Sequence, residues 1–509
     1  MSASTTLSTL RGPLALVALC AVPVVLWAGS EPLDDRFRGS YATLTSVAVL
    51  LALAGTSAFA LNLVLGARLR LVEALFGGLD RMYRAHRVTG QAAFGLLLGH
   101  VVLVLAGRAT ISPSSALALL GPGAGWTVFA GVLAFAAMTV SIVLTLFVRL
   151  GHEVFVYVQR SFGLVFLLAS YHVFTSPGPT AGSTALRVYL ALLATTGLVA
   201  FAYRSLLGNL LVRRRPYGVT AVNRLDEDVT EIVMEPRTTP LAHDPGQFVF
   251  VNFRSLALRE ELRPFEVSVE RQVFSIRAGE IPNQFHPFSI TSAPGAPELR
   301  ITVKAVGDYT SALRRLEPGA EAVVEGPYGS FSHRRVSSRR QVWIAGGIGV
   351  TPFLAMARSL GDEELEVDFY YCVEHAEEAH FLGELQALAS SRAGFRVVLV
   401  PRDRAGFLTA ARLAEEVPDL ASADVLVCGP PAMIASLRSQ LGAKGVHAER
   451  IHAEEFSFAK LGPPPGVELG AAEAQPRWSD GQVLALLSAF ASAGIVVGLG
   501  IVVGTYLGS

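Results

Sequence analysis

Along the chain the spacing of hydrophobic and polar positions changes style several times. Apolar runs lie near 12–28, 41–66, 88–107, 125–148, 158–175 and 184–203. Each is about 17–26 residues long, which suits a helix crossing an apolar layer of about 30 Å. Such runs in succession predict a six-span bundle within residues 1–210. From about 216 the period drops to two. VTAVNRL, VTEIVMEP, QFVFVNF and ELRITVKAV alternate between Pro/Gly turns, which predicts an antiparallel barrel or sandwich over 216–335, with a partly charged insertion at 254–284. After Arg340, QVWIAGGIGVTPFLAMARSL has the pattern of a strand, a glycine turn and a helix. LEVDFYYCV, FRVVLV and ADVLVCG are further strands separated by helical stretches, so residues 340–458 predict an α/β domain with a mostly parallel sheet. A Pro/Gly-rich linker at 459–482 leads to one more apolar run, 483–507, with small-residue spacing at Gly494, Gly498, Gly500 and Gly504. Such a face packs helices closely, either bracing the chain or joining copies in a homo-oligomer, and a plain membrane anchor is the simpler alternative.

Composition sharpens this division. The 509 residues carry 42 basic and 42 acidic side chains; 17% are charged and 51% hydrophobic, with a mean hydropathy of +0.45. Those values exclude a wholly soluble enzyme, a disordered scaffold and a nucleic-acid binder driven by net positive charge. Cys20, Cys372 and Cys428 are too few for a disulfide-rich domain or a four-cysteine iron–sulfur cluster. The first 200 residues contain 12 arginines, no lysine and six acids. Arg68, Arg70, Arg81, Arg84 and Arg87 fall between the second and third spans, Arg149 and Arg160 flank the next turn on that side, and Arg204, Arg213, Arg214 and Arg215 follow the sixth. The opposite loops hold Arg36 and Arg38 beside three acids, then Arg108 and Arg187. The arginine-rich side is the cytoplasmic one, so the charge-rich middle of the chain is expected in the cytoplasm of a bacterial-type inner membrane protein. Arg11 gives the first run a signal-like start, but Pro23, Trp27 and Glu31 make a poor cleavage region, and the run is taken as retained.

Histidines bring candidate chemistry into the spans. His86 and His100 stand fourteen residues apart on the third, a separation of about 21 Å that returns the side chain to within about 40° of the same face. His172 lies towards the outer end of the fifth span, at a depth comparable with His100. Ionisable groups inside spans are functional by default, and imidazoles from neighbouring helices can hold a haem iron on both axial faces. Helix-packing histidines are the alternative. Thirteen residues before His172 stands Gln159, and His152 falls in the turn after Arg149. One bis-histidine site is therefore well marked, and a second has an uncertain partner for His86.

In the α/β domain, Gly346-Gly347-Ile348-Gly349 follows a strand and opens a helix, with Pro352 in that helix's first turn. Glycines there permit a tight turn and close approach of a pyrophosphate to the helix amino end. Cys428-Gly429-Pro430-Pro431 closes another strand about 80 residues later. Two such turns at one sheet edge form a dinucleotide crevice. Arg402 and Arg404 follow the strand FRVVLV, where a base could meet the 2′-phosphate of NADPH; Glu374, after the strand ending near Cys372, favours NADH instead. The balance leans to NADPH.

His286-Pro287-Phe288-Ser289-Ile290-Thr291-Ser292 resembles the flavin motif of the ferredoxin–NADP reductase superfamily, in its ferric reductase and NADPH oxidase branch. KAVGDYTSAL at 304–313 resembles that family's flavin-pyrophosphate region, and Gly326-Pro327-Tyr328-Gly329 its turn. GGIGVTPF and CGPPAM resemble its two pyridine-nucleotide turns, and Glu454-Glu455-Phe456 its terminal strand. The pieces occur in the family's order over nearly all of residues 40–458.

The resemblance implies FAD, NADPH or NADH, and b-type haem, with one haem expected and two envisaged. Phe288 would lie against the flavin, Ser289 near its reactive nitrogen and His286 by its phosphates or ribityl chain. Pro287, Thr291, Ser292, Lys304, Gly307 and Thr310 complete the flavin set. Gly346, Gly347, Gly349, Thr351, Pro352, Gly429 and Pro430 would hold the pyridine nucleotide. Ser289, Cys428 and Phe456 are the expected catalytic positions, Cys428 near the nicotinamide and Phe456 over the isoalloxazine. His100 and His172 match the family's outer haem pair; His86 and Gln159 match the inner pair, with His152 as a substitute. The implied activity is electron transfer from cytoplasmic NAD(P)H through FAD and haem to an outer acceptor, either a ferric chelate or O2. A membrane-anchored NAD(P)H–flavin reductase with a degenerate or single-haem module is the alternative. Membrane lipids are expected neighbours and nucleic acid is not.

Overall fold

The structure, a computed structural model, describes residues 3–148, 152–253, 265–269, 272–276, 285–306, 308–361 and 365–455. Gly307, Phe456, the linker at 459–482 and the run at 483–507 lie outside the described residues, as does most of the insertion at 254–284. The chain divides into compact units at Val212/Arg213.

The first unit is built from long helices: α1 (Ala3–Ala28), α2 (Gly39–Gly66), α3 (Leu79–Ala109), α4 (Trp126–Phe147), α5 (His152–Thr175) and α6 (Thr184–Phe201). These coincide with the six apolar runs. Five described stretches, Arg11–Ala28, Gly39–Gly66, Arg81–Ala109, Trp126–Thr145 and Thr184–Leu206, are long and apolar enough to cross a membrane. Helix α5 is long enough as well, 24 residues or about 36 Å. It departs from expectation at its start, because His152, expected in a turn, is the first residue of the helix.

Neighbouring helices pack as hairpins, α2 along α3 and α4 along α5, with α1 and α6 against α2. Their shared core is aromatic and small. Phe59 of α2 meets Phe162 and Phe166 of α5 edge-on at 6.2 and 4.9 Å, and Phe94 of α3 stacks on Phe135 of α4 at 6.0 Å.

The second unit holds both lobes of the charge-rich region. Its first lobe is a six-stranded sheet of β1 (Arg214–Arg224), β2 (Val229–Pro236), β3 (Phe248–Phe253), β6 (His286–Ser289), β7 (Leu299–Lys304) and β8 (Glu321–Tyr328). A separate hairpin pairs β4 (Phe265–Val269) with β5 (Gln272–Ile276). The six strands run in the order β6-β3-β8-β1-β2-β7. An antiparallel bridge from Ile290 to Ile301 joins the two edges and nearly closes the barrel. Alternate residues point inward, so Tyr217, Val219, Ile232, Met234, Val249, Val251, Ile301 and Val324 form its apolar core.

The second lobe is a parallel sheet of β9 (Arg340–Gly346), β10 (Glu366–Val373), β11 (Phe395–Pro401), β12 (Asp424–Gly429) and β13 (Ile451–Glu455), ordered β11-β10-β9-β12-β13. The order reverses between β9 and β12, and this is where a doubly wound sheet opens its ligand crevice. Buried Trp343 organises one face against Phe353, Phe369 and Phe395 at 5.7–6.0 Å between ring centroids.

Asp424 ties that sheet together at the start of β12. Its carboxylate is buried, lies 2.9 Å from His452 Nε2, and accepts the Ser338 N–H at 2.8 Å. Burial opposes ionisation, but these hydrogen bonds and the charges of His452 and Arg450 outweigh it and hold the carboxyl below its usual range. A lowered folded value stabilises the native state above the unfolded carboxyl pKa of about 4 and loses that contribution as pH falls through the folded value. Asp424→Asn should cost about 1.5–3 kcal/mol near neutrality and flatten acid denaturation below about pH 4, read by urea titrations at several pH values.

Candidate functional site

In the membrane unit the three expected iron-ligating histidines share one local arrangement. His100 Nδ1 lies 2.9 Å from the Ala48 carbonyl of α2. His172 Nδ1 lies 2.9 Å from the Thr127 carbonyl of α4, with the Ser176 hydroxyl 3.2 Å away. His86 Nδ1 lies 3.0 Å from the Asn62 carbonyl of α2. A carbonyl oxygen can only accept, so each Nδ1 carries the proton and Nε2 presents its lone pair. The same orientation recurs in metal-bound histidines, where the second nitrogen donates to a carbonyl or carboxylate.

His100 on α3 and His172 on α5 come close enough to interact electrostatically. Room for the His172 ring comes from Gly131 on α4, where a Cβ would sit 2.8 Å from Cγ and Nδ1. These features fit a haem held between the two imidazoles. Gln159 is half-buried on α5, and the His152 side chain lies outside the described residues. Among the described residues, no group of three or more His, Cys, Asp or Glu side chains is disposed to hold a bare metal ion.

The flavin positions gather at β6 and the short helix α7 (Asp308–Ala312). The His286 ring stacks on Tyr309, with centroids 3.7 Å apart and planes inclined by 18°. Burial pushes the Tyr309 phenol up to about 12, so it is neutral. Ser289 Oγ and Thr291 Oγ1 are buried without a hydrogen-bond partner among the described residues. Such orphans fit a bound polar group. Thr310 Oγ1 accepts the Val306 N–H at 2.9 Å, which shapes the loop before α7.

Two expected flavin contacts have other partners. Phe288 pairs in register with Val249 and packs into the barrel core, while Pro287 beside it is exposed. Ser292 Oγ accepts the Arg300 N–H at 3.2 Å and braces the β6–β7 turn.

The nucleotide turns meet because β9 and β12 are parallel neighbours, with Ala345 opposite Cys428. Their backbones touch: a Cβ on Gly349 would fall 2.3 Å from the Cys428 carbonyl oxygen, so only glycine fits. Gly346 lies against Pro430 and the Gly429 backbone. Thr351 Oγ1 donates to the Ile348 carbonyl at 3.0 Å, and buried Pro352 starts α8 (Thr351–Arg358). Cys428 is fully buried in the α/β core rather than open to the crevice, because its side chain points to the packed face of β12.

A crevice of about 180 Å³ joins the two lobes. Gly347, Ile348, Tyr371 and His380 line it from the nucleotide side, and Asp226, Asp228 and Lys304 from the barrel. Lys304, expected at the flavin pyrophosphate, therefore faces the same space as the nucleotide turn. Asp226 Oδ2 lies 2.6 Å from His380 Nε2 across this crevice. Sequence patterns missed that pair, which joins residues 154 positions apart.

At the far end of the same sheet edge, Glu374 Oε1 accepts from Arg402 Nε at 2.8 Å, and the guanidinium lies 5.1 Å from the exposed Phe407 ring. Arg404 lies 4.0 Å from Glu377. The two candidate phosphate-binding bases therefore each face a carboxylate of this chain.

Two family models match. Residues 51–170 match the ferric reductase like transmembrane component, and residues 343–439 match the oxidoreductase NAD-binding domain. The chain is 37% identical over 189 residues to the ferredoxin–NAD(+) reductase component of an alkene monooxygenase system from Xanthobacter autotrophicus, covering 34% of this chain and 55% of the relative. It is 29% identical to NADH-cytochrome b5 reductase 1 of Pyricularia oryzae, covering 34% and 60%. The chain spans about half the length of several relatives it matches, including 50% of a glycine betaine monooxygenase reductase subunit from Chromohalobacter salexigens.

Among solved structures, the FAD/NAD-binding domain of a Vibrio cholerae nitric oxide dioxygenase aligns with 25% identity and a TM-score of 0.39, covering 48% of this chain and 98% of that one. Flavohemoglobin from Malassezia yamatoensis aligns with 21% identity and a TM-score of 0.43, covering 73% and 97%. The chain therefore has two parts, the second with an oxidoreductase fold of the FAD/NAD(P)-binding type. A ferric-reductase-like membrane component is joined to a reductase region of the FAD- and NAD(P)-binding type.

Neutralising Glu374 should release Arg402 for a 2′-phosphate. Glu374→Gln is expected to raise the NADPH-over-NADH ratio of kcat/KM by about twofold to fivefold, the scale of an exposed ion pair. Steady-state reduction of a soluble dye with each nucleotide checks this.

Proposed function

We propose that the protein carries electrons from NAD(P)H on the cytoplasmic side, through FAD and b-type haem, to an acceptor on the outer face, a ferric chelate or O2. The observation that carries this reading is the common anchoring of His100 and His172, whose Nδ1 atoms bond to carbonyls of two different helices while the Nε2 atoms are left to ligate. When bound, FAD accepts a hydride as an electron pair and releases electrons singly to haem iron.

The chain's own groups supply position and charge. Lys304 offers a cation to phosphates in the crevice, beside the backbone of Gly347 and Ile348. Gly349 lets the two nucleotide turns close on each other, and Thr351 fixes the turn that opens α8. Ser289 and Thr291 offer buried hydroxyls, and the His286–Tyr309 stack provides a flat wall beside them. His100 and His172 would hold a haem iron from two helices, and their carbonyl partners keep both imidazoles in the ligating tautomer. The arginine distribution supports a cytoplasmic reductase region.

His100→Ala and His172→Ala should each abolish the low-spin haem spectrum of the outer site. NAD(P)H oxidation by ferricyanide should continue at near wild-type rate, since that dye takes electrons from the flavin side. FAD with no haem in the wild-type protein would instead support the flavin-reductase reading. Loss of dye reduction together with haem in the variants would contradict the proposed division of labour.

A further inference from the structure

Helix α8 (Thr351–Arg358) starts just after the Gly346–Gly349 turn and ends, about 10 Å further on, at Arg358. Phe353, Leu354, Ala355, Met356 and Ala357 are all fully buried, so the helix is locked into the α/β core and gives its last residue a fixed base. The Arg358 side chain is 14% exposed, so water competes little for its donors. Nε and Nη2 donate to the two carboxylate oxygens of Glu384 at 2.7 Å each, a planar bidentate pair. Glu384 stands in the first turn of α9 (Leu382–Ser391), where the helix amino end favours a carboxylate. That pair fixes the plane of the guanidinium. Nη1 then donates out of the α/β lobe, to the Thr291 carbonyl of the barrel, at 2.7 Å.

Thr291 is thereby held from both lobes. Its N–H donates to the Arg300 carbonyl at 2.8 Å within the barrel, and its carbonyl accepts from Arg358. Its hydroxyl is buried without a partner among the described residues, as is that of Ser289 two residues earlier. The turn that faces the pyridine nucleotide and the loop that offers hydroxyls to the flavin are thus joined through α8 and the Arg358 guanidinium. The Asp226–His380 contact also spans the lobes, but it engages the tip of the β1–β2 hairpin and leaves the flavin loop untouched.

We propose that Arg358, oriented by Glu384, is a positioning residue for hydride transfer: it holds the flavin loop against the nucleotide lobe and so sets the approach of the two cofactors. The inference rests on the reading of Ser289 and Thr291 as flavin-site residues. Arg358 takes no part in the chemistry itself. Lysine is no substitute, because an ammonium on a flexible stem cannot grip a carboxylate with two parallel bonds and a carbonyl with a third in one plane.

The test is anaerobic stopped-flow reduction of the flavin by NADPH and by NADH in the detergent-purified full chain, with the visible circular dichroism of the oxidised flavin as a readout independent of turnover. Arg358→Met and Arg358→Lys should retain FAD, alter its dichroism and slow its reduction at saturating nucleotide by about tenfold, the scale of one hydrogen bond to a charged group, while the apparent nucleotide Kd moves by less than about twofold. Glu384→Gln keeps the shape of the clamp and loosens it, and should slow reduction by about threefold. Arg335→Gln removes an exposed ion pair with Asp244 and should leave rate and dichroism as in the wild type. Wild-type reduction and dichroism in the Arg358 variants would overturn the inference. Equal slowing by Arg335→Gln would do so too, since it would show general loosening of the lobes. Should the Arg358 variants fail to fold, Glu384→Gln decides, and a wild-type rate there overturns the inference. A wild-type chain that binds no FAD, or whose flavin neither nucleotide reduces, contradicts the proposed function itself.

Discussion

The membrane half depends on a hydrogen bond between an imidazole Nδ1–H and a backbone carbonyl of the adjacent helix. In an apolar bundle an unpaired ring N–H is costly, and water is not at hand to satisfy it. Here Ala48 and Asn62 of α2 serve His100 and His86, and Thr127 of α4 serves His172. Each bond fixes a tautomer and a ring plane together. It also dictates the bundle's pairing, because α2 must run beside α3 and α4 beside α5 for the carbonyls to reach. Gly131 belongs to the same constraint, since any side chain there would occupy the place of the His172 ring.

The reductase half depends on a comparable agreement between backbone and site. Parallel pairing of β9 with β12 sets their carboxyl ends side by side, and the two glycine turns then approach closely enough that Gly349 tolerates no Cβ. On the barrel side, pairing of β2 with β7 places Val229 opposite Lys304, so the β1–β2 hairpin and its Asp226 arrive at the same crevice. The Asp226–His380 pair then spans the crevice from one lobe to the other. Three carboxylates, Asp226, Asp228 and Glu378, share that space with Lys304, so its charge is partly compensated before any phosphate arrives. Glu374 does the same to Arg402 at the far end of the edge.

What could be read from the residues, and what could not, follows from how each feature is encoded. Helix runs, the barrel's alternation and the strand–glycine turn–helix unit are local patterns, and the elements stand where those patterns lie. The fate of Phe288 was not local. Its place in a flavin-like motif gives chemistry, but its face is decided by register with Val249 in a strand nearly forty residues away. Cys428 is similar, since the motif marks a strand end while the pleat turns the thiol to the packed side. Lys304 needed the β2–β7 pairing before its crevice could be known. The carbonyls of Ala48, Asn62 and Thr127 leave no trace in the residue string, because every residue has one.

Helix α5 shows how a polar group inside an apolar bundle marks function. Its run holds Gln159, Arg160 and His172 among apolar residues. Polar groups persist there only where they face the interior or a partner. His172 meets the Thr127 carbonyl through Nδ1, and its ring fills the space that Gly131 leaves on α4. The α4–α5 pairing, the glycine and the tautomer of His172 are therefore one constraint: a side chain at 131 would displace the ring, and a displaced ring would lose the carbonyl that fixes its proton.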